Sequence, residues 1–148
     1  MRYTVKRFGF SILAALSVTA FACGDSSTTS VTSPTVTPIL STETFDGSIS
    51  QNGTAVHTFT VAASGYTLLL GYTSIAPSSV PALGVGLGAW DSTTSTCSLN
   101  VTQNDSARSG STALSGTVNA GAYCVRVYDG ANIGSNVTAS YSVQVQHY

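Results

Sequence analysis

Charge is what this sequence has least of. Charged side chains make up 7% of the 148 residues, 5 basic and 6 acidic, against roughly 25% in an ordinary soluble domain. Lys6 is the one lysine and Glu43 the one glutamate. Helical proteins cover their exposed faces with Glu, Lys, Arg and Gln, so this shortage argues against a helical fold. It also excludes nucleic acid as a partner, because binding there depends on displacing counterions with positive charge. Long apolar runs are missing too. Phe8 to Ala22 is the longest, at 15 residues, and a spanning helix needs about 20. Histidine occurs twice, at His57 and His147, and no Gly-x-Ser-x-Gly elbow or EF-hand spacing is present, so the usual frames for hydrolysis and calcium binding are absent. What the chain has in quantity is Ser and Thr, 44 residues together.

Residues 1–22 read as a signal peptide. Arg2, Lys6 and Arg7 form a positive start, the apolar stretch follows, and Ala20-Phe21-Ala22 ends it in the small-x-small manner of a cleavage site. Cys23 comes directly after. Two readings stay open: a lipobox whose Cys23 is lipidated, anchoring the protein in the bacterial cell envelope, or ordinary cleavage that releases a soluble secreted protein. Three cysteines favour the first. Cys97 and Cys124 fall in the folded part and can pair, and lipidation accounts for the odd one left. Cleavage before Cys23 leaves Arg108 and Arg126 against six acids, a net charge of −4. Residues 23–41 are rich in Ser, Thr and Pro and have no sustained period. This is the composition of a disordered tether.

From Thr42 the hydrophobic period is two, the period of a strand. The alternation predicts strands at Phe45–Ser50, Thr54–Ala62, Tyr66–Thr73, Leu83–Trp90, around Cys97–Val101, Thr112–Val118, Ala122–Tyr128 and Thr138–His147. Gln51-Asn52-Gly53 reads as a hairpin turn, and Gln103 to Gly110 as a polar loop. Eight short strands with turn signals between them give an all-β, antiparallel sandwich or barrel over residues 42–148. The predicted core is Phe45, Phe59, Val61, Leu68, Leu70, Val85, Leu87, Leu99, Tyr123, Val125, Val127, Tyr141, Val143 and Val145.

Four segments carry a family likeness: Phe45-Asp46-Gly47-Ser48-Ile49, Val56-His57-Thr58-Phe59-Thr60-Val61, Gly121 to Asp129 (GAYCVRVYD), and Tyr141-Ser142-Val143-Gln144-Val145. Together they resemble the bacterial pre-peptidase C-terminal domain, over about Phe45 to Tyr148. The resemblance implies a jelly-roll-like β-sandwich. It also implies a non-catalytic accessory module of the kind appended to secreted enzymes, and it brings no catalytic residues.

The chemistry-bearing residues are few. Cys97 and Cys124, 27 apart, are expected to form a disulfide, since a metal pair lacks two further ligands. Cys124 alternates away from Tyr123, Val125 and Val127, which puts the bridge on an outer face. His57 is expected in a structural role beside Phe59 and Val61, and His147 in solvent. Asp46, Asp91, Asp105 and Asp129 fall at strand ends or loops, where Asp makes Asx-turns. Asp129 with Asn132 or Asn136 is a weaker calcium candidate. Gly84, Gly86 and Gly88 leave one strand face bare, with Trp90 at its end. Either another backbone or an aromatic packs there, or the strip is a docking platform. In the second case a sugar ring stacks on Trp90, with Tyr72 or Tyr128 as a second platform. The expected function is therefore a non-catalytic, exported binding or display module. Its ligand would be an envelope or extracellular polysaccharide or a protein partner. A self-associating structural or adhesive subunit is the alternative.

Overall fold

The computed structural model describes residues 37–148. The signal-like stretch, Cys23 and most of the predicted tether lie outside the described residues. Eight strands follow one another: β1 (Ser41–Ser50), β2 (Thr54–Val61), β3 (Tyr66–Ala76), β4 (Leu83–Asp91), β5 (Thr96–Ala107), β6 (Ser111–Val118), β7 (Gly121–Tyr128) and β8 (Thr138–His147). They make two antiparallel sheets, a front sheet ordered β1-β8-β3-β6 and a back sheet ordered β2-β7-β4-β5.

The pairing is nested. β1 pairs with β8, β2 with β7, β3 with β6 and β4 with β5. Only β4 and β5 are neighbours both in sequence and in one sheet; every other connection crosses between the sheets. This is the jelly-roll order, one long hairpin rolled into two layers.

The period-two pattern decides which side chains lie between the layers. Leu68 and Leu70 of β3, Val85 and Leu87 of β4, Val125 and Val127 of β7, and Val143 and Val145 of β8 are fully buried there. Phe59, Val61 and Tyr141 join them, while Phe45 and Tyr123 pack against the cluster only partly buried. Tyr72 is buried as well. Its hydroxyl donates to the Gly84 carbonyl at 3.0 Å, which satisfies a donor that would otherwise be costly in the core. The core is completed by Ile49, Leu83, Leu114 and Val118, and by Val80 and Ile133 from loops.

Three expectations need correction. Gln51-Asn52-Gly53 does form a tight turn, with Asn52 at φ 59° and the Gly53 N–H donating to Ser50 O at 2.8 Å. It is not a hairpin, because β1 and β2 lie in different sheets. Turn chemistry fixes a local reversal, whereas the partner is fixed by ladders, and β1 pairs along its whole length with β8. That ladder also extends β1 back to Ser41. Second, Gln103 to Ala107 is strand, not loop. β5 is an edge strand whose ladder with β4 continues through Gln103↔Gly86, Asn104↔Val85 and Ala107↔Leu83, so it needs no apolar alternation of its own. Third, Leu99 is outside the core. Two register shifts between β4 and β5 carry it over Gly86, on the outer face of the back sheet.

Candidate functional site

The outer face of the back sheet holds the glycine row of β4, Trp90, Tyr128 and the two cysteines of the folded part. Antiparallel register places Gly84 opposite Tyr128, Gly86 opposite Arg126 and Gly88 opposite Cys124. The bare side of β4 is therefore overlaid by longer side chains. A Cβ on Gly84 would come within 2.2 Å of the Tyr128 ring, and one on Gly86 within 2.7 Å of Leu99. At Gly88 it would sit 2.0 Å from the Ser98 carbonyl oxygen. Only glycine lets its neighbours lie this close. The strip is a covered layer rather than an open platform.

Cys97 and Cys124 form a disulfide across this face, with Cα atoms 5.8 Å apart. Cys124 points away from the core side of β7, as its alternation predicts, and is nonetheless fully buried. Arg126 reaches across β4 and donates from Nη2 to the Cys97 carbonyl at 3.0 Å. The sequence reading missed Leu99 and Arg126 as members of this layer. The signal was available in the three glycines, which must be filled from adjacent strands.

Trp90 ends the row. It pairs with Cys97 and is half-exposed. The turn beyond it is tightly made. The Asp91 carboxylate accepts from the Thr93 N–H at 2.8 Å and from the Thr94 hydroxyl at 2.8 Å. Hydrogen bonds from Thr93 first, and then from Thr94, hold its pKa at about 2. The Trp90 backbone thus runs between a closed Asx-turn and the strand that carries the disulfide. Tyr128 lies on the same face but six residues away along β4, about 20 Å at a strand's rise. Its hydroxyl donates to the Asp105 carboxylate. Burial, followed by that bond, raises its pKa to about 12. Tyr72 does not belong to the surface at all. At 1% exposure it is a core residue, so it supplies no platform.

Asp129 behaves as a turn residue. Its carboxylate accepts from the backbone N–H groups of Asn52 at 2.9 Å, Asn132 at 2.9 Å and Ile133 at 3.1 Å. Burial works against ionisation, yet these donors keep its pKa below the ordinary value. The Asn132 amide donates to the Gly130 carbonyl at 3.1 Å. Asp129 and Asn132 are therefore taken up in closing the loop on the β1–β2 turn, and Asn136 adopts the left-handed turn conformation at φ 60°.

Both histidines face the seam where edge strands β1 and β2 meet. His57 is stacked on Phe45, ring centres 5.0 Å apart, and its Nε2 shares a 2.8 Å hydrogen bond with the Tyr141 hydroxyl. Desolvation lowers its pKa, against an opposing pull from Asp46. His147, expected in solvent, is 3% exposed. Its Nε2 donates to Glu43 Oε1 at 3.0 Å, and Nδ1 is buried with no partner among the described residues. Terminal position misled here, because β8 is a central strand and its last inward residue still belongs to the core.

Comparison with protein-family models and with curated proteins returns no match to this chain.

Proposed function

We propose that this chain is an exported, lipid-anchored β-sandwich module that binds or displays at the bacterial cell envelope and performs no catalysis. Cys23 is the lipidated residue, and the Ser/Thr/Pro-rich stretch between it and the start of β1 at Ser41 serves as the tether. The ligand class is an uncharged, hydroxyl-rich polymer, an envelope or extracellular polysaccharide. One observation carries this reading: a single half-exposed indole, Trp90, stands at the end of β4 beside a turn and an edge strand rich in Ser, Thr and Asn. Aromatic faces take up the C–H faces of sugar rings, and neutral donors and acceptors suit sugar hydroxyls. The resemblance to pre-peptidase C-terminal domains supports the non-catalytic role.

A glycan array probed with the full chain tests the ligand class. Trp90→Ala is expected to abolish retention on the polysaccharide while leaving the unfolding transition in place. Unchanged retention rejects the role of Trp90. Mass spectrometry of the mature N-terminus tests the anchor, since a diacylglyceryl mass on Cys23 separates lipidation from simple cleavage. A second reading, self-association, is favoured by β5, a twelve-residue edge strand with Val101 40% exposed. Unpaired strand edges template further strands, and sedimentation that depends on concentration would select it.

A further inference from the structure

The front sheet has a groove of its own, on the side of the sandwich opposite Trp90. It forms where β3 breaks register twice, with β6 between Leu70 and Gly71 and with β8 between Gly71 and Ser74. Bulges bend a strand and re-aim its side chains. Gly71 permits the bend, since a Cβ there would meet the Ser111 carbonyl oxygen at 2.5 Å. The result is a hollow of about 230 Å³. Gln144 and Gln146 of β8 form one side, Ser111 and Thr112 of β6 the other, and Leu69 of β3 lies between them, 39% exposed.

We propose that this hollow is a second carbohydrate site, taking one neutral sugar ring of the polymer through Gln144, Gln146, Thr112 and Leu69. The proposal rests on the polysaccharide-binding reading above and extends it to the opposite face. None of the lining residues is charged, so a phosphate, carboxylate or ammonium group would find no counter-ion. Each glutamine amide offers both donors and acceptors, and each hydroxyl does the same. That is the pairing that sugar hydroxyls require. The two glutamines are two residues apart on one strand face, about 6.6 Å along the strand, which spans a ring rather than one hydroxyl. Leu69 supplies an apolar contact for its C–H face. The volume lies below the roughly 300–1,000 Å³ of pockets that enclose a whole small ligand, as suits one unit of a polymer that continues into solvent. A peptide added as an extra strand needs a free edge. β3, the floor of the hollow, is interior, whereas β6 at its rim is the free edge of the front sheet, so a peptide paired along β6 is the competing occupant.

Isothermal titration of the full chain with cellohexaose, maltohexaose and mannohexaose provides the test. It is run on the wild type, on Trp90→Ala, on the Gln144→Ala/Gln146→Ala double variant, and on Thr112→Arg, which fills the hollow. Denaturation midpoints check that all variants fold. The expected result is that the double variant and Thr112→Arg each weaken binding of the preferred hexaose by about tenfold or more, the equivalent of one or two lost hydrogen bonds. Amide-resolved NMR should show the side-chain resonances of Gln144 and Gln146 moving on titration. Wild-type affinity in both groove variants, with shifts confined to the Trp90 indole, overturns this site and leaves the Trp90 reading standing. Binding to none of the three sugars by the wild type overturns the site together with the reading it rests on. Capture of a peptide in the hollow, with no sugar bound, also overturns it.

Discussion

Outward positions on the front sheet are Thr42, Thr44, Asp46 and Ser48 along β1 and Ser140, Ser142 and Gln144 along β8, all wet or half-wet. Outward positions on β4 of the back sheet are Gly84, Gly86 and Gly88, all buried. One face keeps small polar side chains and leaves them in water. The other dispenses with side chains on its third strand and borrows Tyr128, Leu99, Arg126 and a disulfide from the strands beside it. An alternation of apolar residues and glycine thus marks the thickest part of the sandwich, not an open strip. The back sheet carries a partial third layer, and its integrity depends on contacts the front sheet does not have.

Breaking the disulfide should have the largest effect on this contrast. Cys97 and Cys124 close a loop of 27 residues, and cross-linking a loop of that length stabilises by about 3–4 kcal/mol in the chain-entropy model. Cys97→Ala/Cys124→Ala is expected to lose about that much in urea denaturation. A loss well under about 1 kcal/mol would mean that the borrowed layer holds without its covalent tie. Next in size is a pair of glycine substitutions, one in each sheet. Gly88→Ala drives a methyl group into the Ser98 backbone at 2.0 Å and should cost about 2–3 kcal/mol, in the range of overpacked sites. Gly116→Ala, on β6 of the front sheet, meets nothing within 4 Å. It should stabilise by a few tenths to about 1 kcal/mol, because alanine restricts the unfolded chain. The sign of the change separates a glycine that the back sheet needs from one that the front sheet does not, and two losses of equal size would erase the distinction.

The sequence made the strands and the face each residue takes largely legible, because a period of two survives wherever one face is buried. Val125, Val127, Val143 and Val145 needed nothing more. Pairing was not legible. Asn52-Gly53 marks a turn equally well within a sheet or between sheets, and only the nested ladders decide. Edge strands were hard to bound for the opposite reason: Gln103 to Ala107 is held by β4 and need not look like a strand. Of the site residues, Trp90 and Cys124 could be placed from alternation alone; Cys97 could not, because it shares a face with Leu99, which the same alternation puts in the core. Tyr72 was legible as well, since its alternation with Leu68 and Leu70 puts it on the inward face, and the platform reading goes against that pattern. The partner of its hydroxyl, the Gly84 carbonyl, is twelve residues away. The front groove was invisible because it arises from register shifts at Gly71, which no local pattern encodes.

The smallest expected effect lies at the seam where the two faces meet. His57 on β2 stacks on Phe45 of β1, so the ring joins the back sheet to the front one at their free edges. Desolvation lowers its pKa from the ordinary 6.5, with Asp46 opposing. A base that is harder to protonate when folded than when unfolded makes the unfolded chain bind more protons as pH drops. Its contribution is therefore complete above about pH 6.5 and is lost as pH falls towards the lowered value. Urea midpoints measured between about pH 7 and pH 5 should decline for the wild type. In His57→Phe, which keeps the stacking contact and removes the titration, the decline should be visibly shallower. The difference should stay below that of either glycine variant, because the ring is only partly buried and Asp46 offsets part of the desolvation. Identical slopes in the two proteins would show that protonating His57 does not loosen the seam. The carboxylate turns at Asp91 and Asp129 would not account for a decline in that window, because their lowered pKa values keep their contribution complete until the pH falls below the ordinary carboxylate range of about 4.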